Sequence, residues 1–295
     1  MLLRINEIDG TSFPTCTKET VTEMQTTERM LPPDYPDLMA TAVQAAQRAG
    51  ETLRDYAKSG FRIHYKAAIN LVTDADRQAE ECIVQTIRHT YPSHRILAEE
   101  RGQDGTAPSP YQWIVDPLDG TTNFAHGFPF YSVSIGLEYR GQCVLGVVLD
   151  PVRGELFTAG VGQGAFLDAE PLSVSAIDTL DKSLLVTGFA YNIRETANNN
   201  LDHFSHMSLR AQAIRRTGSA ALDLCYVAAG RFEGYWEVTL SPWDMAAGIV
   251  IVREAGGRVS GFAHEPFSLY GRELVATNGR IHEQLLAALR RQDAR

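Results

Sequence analysis

Three apolar residues, Trp113, Ile114 and Val115, run straight into Asp116, and a second acid, Asp119, follows three positions later in "WIVDPLDGTTNF". The run reads as the end of a buried strand. Pro117 biases Asp116 to an extended backbone and is expected to end the strand there. Pro117 and Gly120 favour a tight turn that aims both carboxylates at one point. Two such charges ~4 Å apart repel by about 4 kcal/mol at an effective dielectric near 20. Either one is protonated or a cation lies between them, and all-oxygen ligands select a hard cation such as magnesium. An ordinary Asp-Pro surface turn is the plain alternative. The residues behind it weigh against that reading. Gly120, Thr121 and Thr122 offer backbone N–H groups and hydroxyls, and a helix starting there would hold a phosphate at its N-terminus.

The chain has 295 residues, enough for one large domain or two ordinary ones. Its net charge of −9, from 27 basic and 36 acidic residues, argues against a nucleic-acid surface. An acidic protein acting on an anion needs metal ions or local dipoles to reverse its own field. Cys16, Cys82, Cys143 and Cys225 lie far apart with no C-x-x-C pair, as idle thiols of a reducing compartment do. No apolar run reaches the roughly 18 residues of a membrane span, and the start lacks a signal-type stretch. The cytoplasm is the expected compartment.

Residues 1–34 are rich in Thr and Glu, run into "LPPDYP" and read as a flexible tail. From Asp37, apolar residues recur at spacings of three and four up to Tyr56, with Gly60 as the stop: a helix. A second helix is expected from Asp74 to Tyr91. Strands "RILAEE" and "WIVD" follow, then four more separated by Gly-containing turns, an antiparallel meander. The second half reads as strand 184–187, helix 197–210, a strand near Ile214, helix 219–229, "GYWEV", helix 242–255, "LVAT" and a final helix. Strands and helices mix without strict βαβ alternation, which argues for layered α+β. The expected division is a tail over 1–34, an N-terminal α+β half with the metal-binding loops over 35–180, and a C-terminal half over 181–295 that completes the active site.

Further acids stand at comparable places. Glu99 and Glu100 close "RILAEE". Asp244 follows Ser241, a natural N-cap, and Pro242. Asp76 stands three residues after Thr73 in "TDAD". Taken singly, Asp244 and Asp76 read as acids of a first helical turn, favourable there without any function.

Together, "WIVDPLDGTTNFAHGFPF", the preceding "LAEE" and the distant "PWDMAAG" resemble the inositol monophosphatase family of magnesium-dependent, lithium-sensitive phosphatases. The resemblance spans nearly all of residues 37–290 and includes "KAAINLVTDAD", "ELFTAGVGQGAFLD", "RRTGSAALDLCYVAAGRFEGYWEV" and "REAGG". It implies a layered αβαβα sandwich and, by family pattern, a homodimer. It also implies two or three magnesium ions per site. Glu99, Asp116 and the Leu118 carbonyl would hold one; Asp116, Asp119 and Asp244 would hold another; a weaker third would touch Glu99. Thr121, paired with Asp76, would help orient and deprotonate the attacking water. Backbone groups of Gly120 and Thr121 would hold the phosphate. Gly218, Ser219, Ala220 and Glu237 would face sugar or cyclitol hydroxyls, and Lys66 would sit on a covering loop. One departure is Ala98, where the family often has glycine.

The implied activity is hydrolysis of myo-inositol monophosphate to inositol and phosphate by metal-activated water. Two cations about 3.5–4 Å apart suit that slow reaction, stabilising attacking and leaving oxygens. Three alternatives compete. Phosphatases of the haloacid dehalogenase type also end a strand on "DGT", but their aspartates are two positions apart, not three. The same fold could act on fructose 1,6-bisphosphate, histidinol phosphate or a 3′-phosphonucleotide; Glu237 and the lack of a basic cluster favour a neutral polyol monoester. A regulatory homologue without catalysis is the third, opposed by the complete ligand set.

Overall fold

The computed structural model describes residues 31–65, 71–105, 107–263 and 267–290. Lys66, most of the expected tail (residues 1–30) and Cys16 lie outside them. Leu31 packs against the first core layer and Asp34 accepts a hydrogen bond from the Tyr111 hydroxyl, so the end of the expected tail is part of the folded body.

The first helix, α1 (Tyr35–Ser59), starts two residues earlier than its periodicity indicated, with Pro36 in its first turn. A short hairpin, β1 (Ile63–Tyr65) and β2 (Leu71–Thr73), leads into α2 (Asp74–Thr90). Leu38 and Leu53 of α1 and Ile83 and Ile87 of α2 pack together on one face of a large sheet.

That sheet has eight strands in the order β10-β9-β8-β7-β6-β5-β3-β4. Its members are β3 (Arg95–Ala98), β4 (Gly102–Asp104), β5 (Tyr111–Asp119), β6 (Ser132–Tyr139), β7 (Gln142–Asp150), β8 (Glu155–Gly160), β9 (Gly164–Leu167) and β10 (Glu170–Pro171). The expected four-strand meander is there as β6 to β9, and antiparallel pairing extends it to β5 on one side and β10 on the other. Only β3 and β5 pair in parallel, which brings the end of "RILAEE" beside the end of "WIVD". One correction concerns the opening motif. Pro117 does not end the strand: β5 continues to Asp119 through a register shift between Asp116 and Asp119. A bulge tolerates the N–H that proline lacks and re-aims the side chains around it.

The second sheet has five strands in the order β12-β11-β13-β15-β14: β11 (Leu184–Thr187), β12 (Ala213–Arg215), β13 (Gly234–Val238), β14 (Arg258–Ser260) and β15 (Glu273–Thr277). A one-turn helix, α3 (Thr121–Ala125), follows β5. The helix α4 (Leu201–Ser208) is shorter than the 197–210 expected; α5 (Ala220–Ala228), α6 (Pro242–Glu254) and α7 (His282–Arg290) complete the chain. Leu222, Leu224, Ile249 and Ile251 of α5 and α6 fill the space between the two sheets, against Ile114 and Val148 on one side and Tyr235 and Leu274 on the other. Met207, Leu285 and Leu286 of α4 and α7 cover the outer face of the second sheet over Trp236 and Val275. The layers are therefore αβαβα, an α+β sandwich. Alternation along β5 serves two of them: Trp113 and Val115 face the first helices, Ile114 the middle ones. Among the described residues no helix is long and apolar enough to cross a membrane.

Candidate active site

The ends of β3 and β5, the start of α5, the end of β13 and the start of α6 meet around a cavity of about 340 Å³. Glu99, Asp116, Leu118, Asp119, Gly120 and Thr121 line it from the first sheet's side. Gly218, Ser219, Ala220, Glu237 and Asp244 line it from the other. Of the site residues expected from sequence, Asp76 alone stands behind the wall. It reaches the cavity through Thr121, whose Oγ1 donates to Asp76 Oδ1 at 3.0 Å, with the Leu118 carbonyl at 3.1 Å as a second acceptor.

Local rules place each acid. Thr73 caps α2, and Asp76 Oδ2 accepts from both the Thr73 amide (2.8 Å) and its hydroxyl (2.5 Å), a capping box. Ser241 and Asp244 repeat the device on α6, where the Ser241 amide donates to Asp244 Oδ2 at 2.6 Å. The plain structural reading of both acids is thus correct; Asp76 gives its second oxygen to Thr121, and Asp244 lines the cavity. Asp116 Oδ1 accepts from the Leu118 amide across the bulge at 3.0 Å. Asp119 Oδ2 accepts from Ser219 Oγ at 2.6 Å and from the Ala221 amide at 2.7 Å. Ser219, expected to face substrate hydroxyls, therefore also anchors Asp119 and joins the two halves of the site. Gly120 has φ +102, and a Cβ there would press on the Phe130 carbonyl, Tyr131 and the Gly218 carbonyl, so only glycine serves.

Burial sets the electrostatics. It raises Asp116 and Asp244 well above the usual carboxylate range, and the charges of neighbouring acids add to the rise. Asp119 is pushed up to about 6 by burial, against the pull of its Ser219 and Ala221 donors. Glu237 is pushed up to about 7 by burial, with the Tyr235 hydroxyl and Arg216 opposing. Asp76 is raised by burial and partly restored by its hydrogen bonds. Carboxylates that raise one another in a shared cavity are a site for compensating positive charge. The donors are all oxygen, and the bonds above hold one oxygen of Asp116, Asp119 and Asp244 each, a set that fits hard divalent cations. Among the described residues no three His, Cys, Asp or Glu side chains are already gathered as a metal cluster, so the acids surround the cavity without closing into a cage.

Several residues that line or support the cavity escaped the sequence reading. Asp223 is buried, its Oδ1 accepting from Thr217 Oγ1 at 2.5 Å; burial raises it well above the carboxylate range. In sequence it is one more acid in a first helical turn. Asn123 ties two loops together, donating to the Phe130 carbonyl (2.7 Å) and the Thr217 carbonyl (2.8 Å). Phe189 and Tyr191 form part of the mouth. Arg216 and Arg272, far apart in the chain, also line the cavity. The two are not a cluster in the sequence, but the fold brings both to one cavity, where Arg216 acts on Glu237.

This fold and pocket define a layered α+β phosphatase, a hydrolase. The inositol monophosphatase family profile matches residues 34–294, and the chain belongs to that family, whose members are in general metal-dependent. It is 49% identical over 259 residues to the inositol-1-monophosphatase of Synechocystis sp., covering 88% of this chain and 90% of that one. It is 44% identical over 260 residues to the Nus factor SuhB of Pseudomonas aeruginosa, covering 85% and 95%. The solved structure of an inositol monophosphatase from Anabaena superposes with a TM-score of 0.79 at 43% identity, over 87% of this chain and 96% of that one.

Proposed function

We propose that this protein is a magnesium-dependent phosphomonoesterase that hydrolyses myo-inositol monophosphate to inositol and phosphate. The observation that carries the reading is the meeting of Glu99, Asp116, Asp119 and Asp244, from three separate segments, around one cavity that also holds Glu237. The name of the Synechocystis relative supports the choice of substrate. Glu99, Asp116 and the Leu118 carbonyl would hold one magnesium ion, and Asp116, Asp119 and Asp244 a second, with a weaker third at Glu99. The chemistry such ions supply is neutralisation of the acids and of the phosphate, and a water acidic enough to attack at neutral pH.

The chain's own groups do the rest. Thr121 Oγ1 takes a proton from the attacking water as its own hydroxyl proton passes to Asp76 Oδ1, which burial has made more basic than a surface aspartate. Amides of Gly120 and Thr121 face the phosphate, and Gly218, Ser219, Ala220 and Glu237 face the cyclitol hydroxyls. Both aspartates of "DPLDG" would be metal ligands, which leaves neither free to attack phosphorus, so the attacking group is water. The test is phosphate release from a panel of phosphomonoesters. Inositol monophosphate should lead the panel, magnesium should restore activity after chelation, and millimolar lithium should inhibit. Full turnover in chelator rejects the metal reading.

The division into halves over 35–180 and 181–295 belongs to the same proposal, the first supplying Glu99, Asp116, Leu118 and Asp119 and the second Asp244 from the first turn of α6. We also infer a cytoplasmic homodimer, on the family resemblance and on the free thiols Cys82, Cys143 and Cys225. The likeness to a Nus factor favours a second, regulatory reading. An Asp116→Asn variant that folds, lacks turnover and still supports the cellular role would separate the two.

A further inference from the structure

Glu237 is two positions from Tyr235 on β13, so both side chains leave the same face of the strand. The Tyr235 hydroxyl, fully buried, donates to Glu237 Oε2 at 2.5 Å. Among the described residues Glu237 Oε1 takes no protein hydrogen bond. The carboxylate is closed from the other side by Gly188, where an added methyl would overlap both oxygens and the carboxyl carbon. Gly188 has no positive φ, so glycine is required there for space and not for backbone freedom. The position of Gly188 is in turn pinned: Asn200 Nδ2 donates to its carbonyl and to Thr187 Oγ1, both at 2.8 Å. Asn200 Oδ1 accepts from Trp236 Nε1 at 2.8 Å, and the Thr187 hydroxyl donates to the Trp236 carbonyl at 2.5 Å. Thr187, Gly188, Asn200 and Trp236 are buried, and their bonds to one another fix the wall beside Glu237.

We propose that Tyr235, Gly188 and Asn200 are positioning residues that clamp the Glu237 carboxylate in one rotamer and present Oε1 to a substrate hydroxyl, which makes them determinants of polyol selectivity. The proposal rests on the reading of Glu237 as a hydroxyl acceptor. A free glutamate samples several rotamers and loses that freedom on binding; the clamp removes this cost before the substrate arrives. Tyr235 engages one oxygen only, so the second stays available for a charge-assisted bond. Asn200 explains how a residue on the far side of β11 influences the pocket: it sets the distance between the Gly188 backbone and β13.

The test compares kcat/KM for inositol 1-phosphate and for p-nitrophenyl phosphate, in magnesium, for Tyr235→Phe, Gly188→Ala and Glu237→Ala, alone and combined. Tyr235→Phe keeps the ring and loses only the donor. It should lower the polyol-to-aryl ratio about tenfold, the scale of one hydrogen bond to a charged group, mainly through KM. Gly188→Ala should lower the ratio at least as much. In the Glu237→Ala background neither substitution should change the ratio further, because nothing remains to be clamped. An equal loss on both esters, or effects that simply add to those of Glu237→Ala, overturns the clamp. If Glu237→Ala leaves the ratio unchanged, the reading of Glu237 fails instead. A normal Glu237→Ala loss with unaltered Tyr235→Phe and Gly188→Ala variants rejects the clamp alone.

Discussion

Thr121 shows how one hydroxyl serves two acceptors: Asp76 Oδ1 and the Leu118 carbonyl compete for its single proton at 3.0 and 3.1 Å. Removing it should cost proton-transfer help. Thr121→Ala should lower kcat on the order of 10²-fold or more, and Thr121→Ser should recover part, read as turnover at saturating magnesium. Glu237 gives a prediction in pH. Its folded-state value of about 7 exceeds the ordinary 4.5, so the folded protein holds a proton there that the unfolded chain releases. Its contribution to stability is therefore greatest below the unfolded value and declines as pH rises toward about 7. The carboxylate that accepts hydroxyls forms over the upper part of that window. KM for inositol 1-phosphate, relative to the aryl ester, should fall as pH is raised through about 7, and Glu237→Gln should flatten the profile. A profile identical in wild type and variant would show that Glu237 does not titrate in contact with substrate.

Between elements, one close approach joins α6 to the large sheet. Gly136 and Gly146 face each other across β6 and β7, and a Cβ on either would strike the backbone of α6 at Ala246 or Ala247. The helix lies on bare strand at this point, and its first turn carries Asp244. Gly146→Ala should cost about 1–3 kcal/mol by overpacking and lower Tm by a few degrees. Because α6 must shift to make room, the magnesium concentration for half-maximal activity should rise as well. Thermal melts and a magnesium titration on the same sample check both. A Tm loss with an unaltered titration would mean that α6 tilts without moving its first turn.

For the whole molecule, the shared acid cavity couples stability to ions. Asp119, raised to about 6, binds a proton in the folded state that the unfolded chain loses near 3.8. Its stabilising contribution in the metal-free protein therefore falls as pH rises between those values, and Asp116 and Asp244 act in the same direction. Ligands that bind only the folded form raise Tm, and protons compete with them for carboxylates. Magnesium should thus raise Tm more at about pH 7.5 than at about pH 5, measured by calorimetry after chelator treatment. An equal rise at both would show that the ions bind away from these acids.

Sequence by itself determined the elements with strong periodicity and the acids that end them. The α1 and α2 helices, the meander and the "DPLDG" pair are local patterns, legible because apolar spacing and capping residues act within a few positions. The short pairings β1–β2, β4, β10 and β14 were not legible, since two or three residues carry no period. Pro117 misled for a related reason: its local rule says stop, and only pairing with β6 shows that a bulge absorbs it. Tertiary structure decided which acids share a cavity, how far burial raises them, and that Arg216, Arg272 and Asp223 join them. It also decided that Ser219 spends its hydroxyl on Asp119, and that Gly188 and Tyr235 enclose Glu237. These follow from the separation of residues in space and from the loss of water around them. Neither quantity is a property of neighbours along the chain.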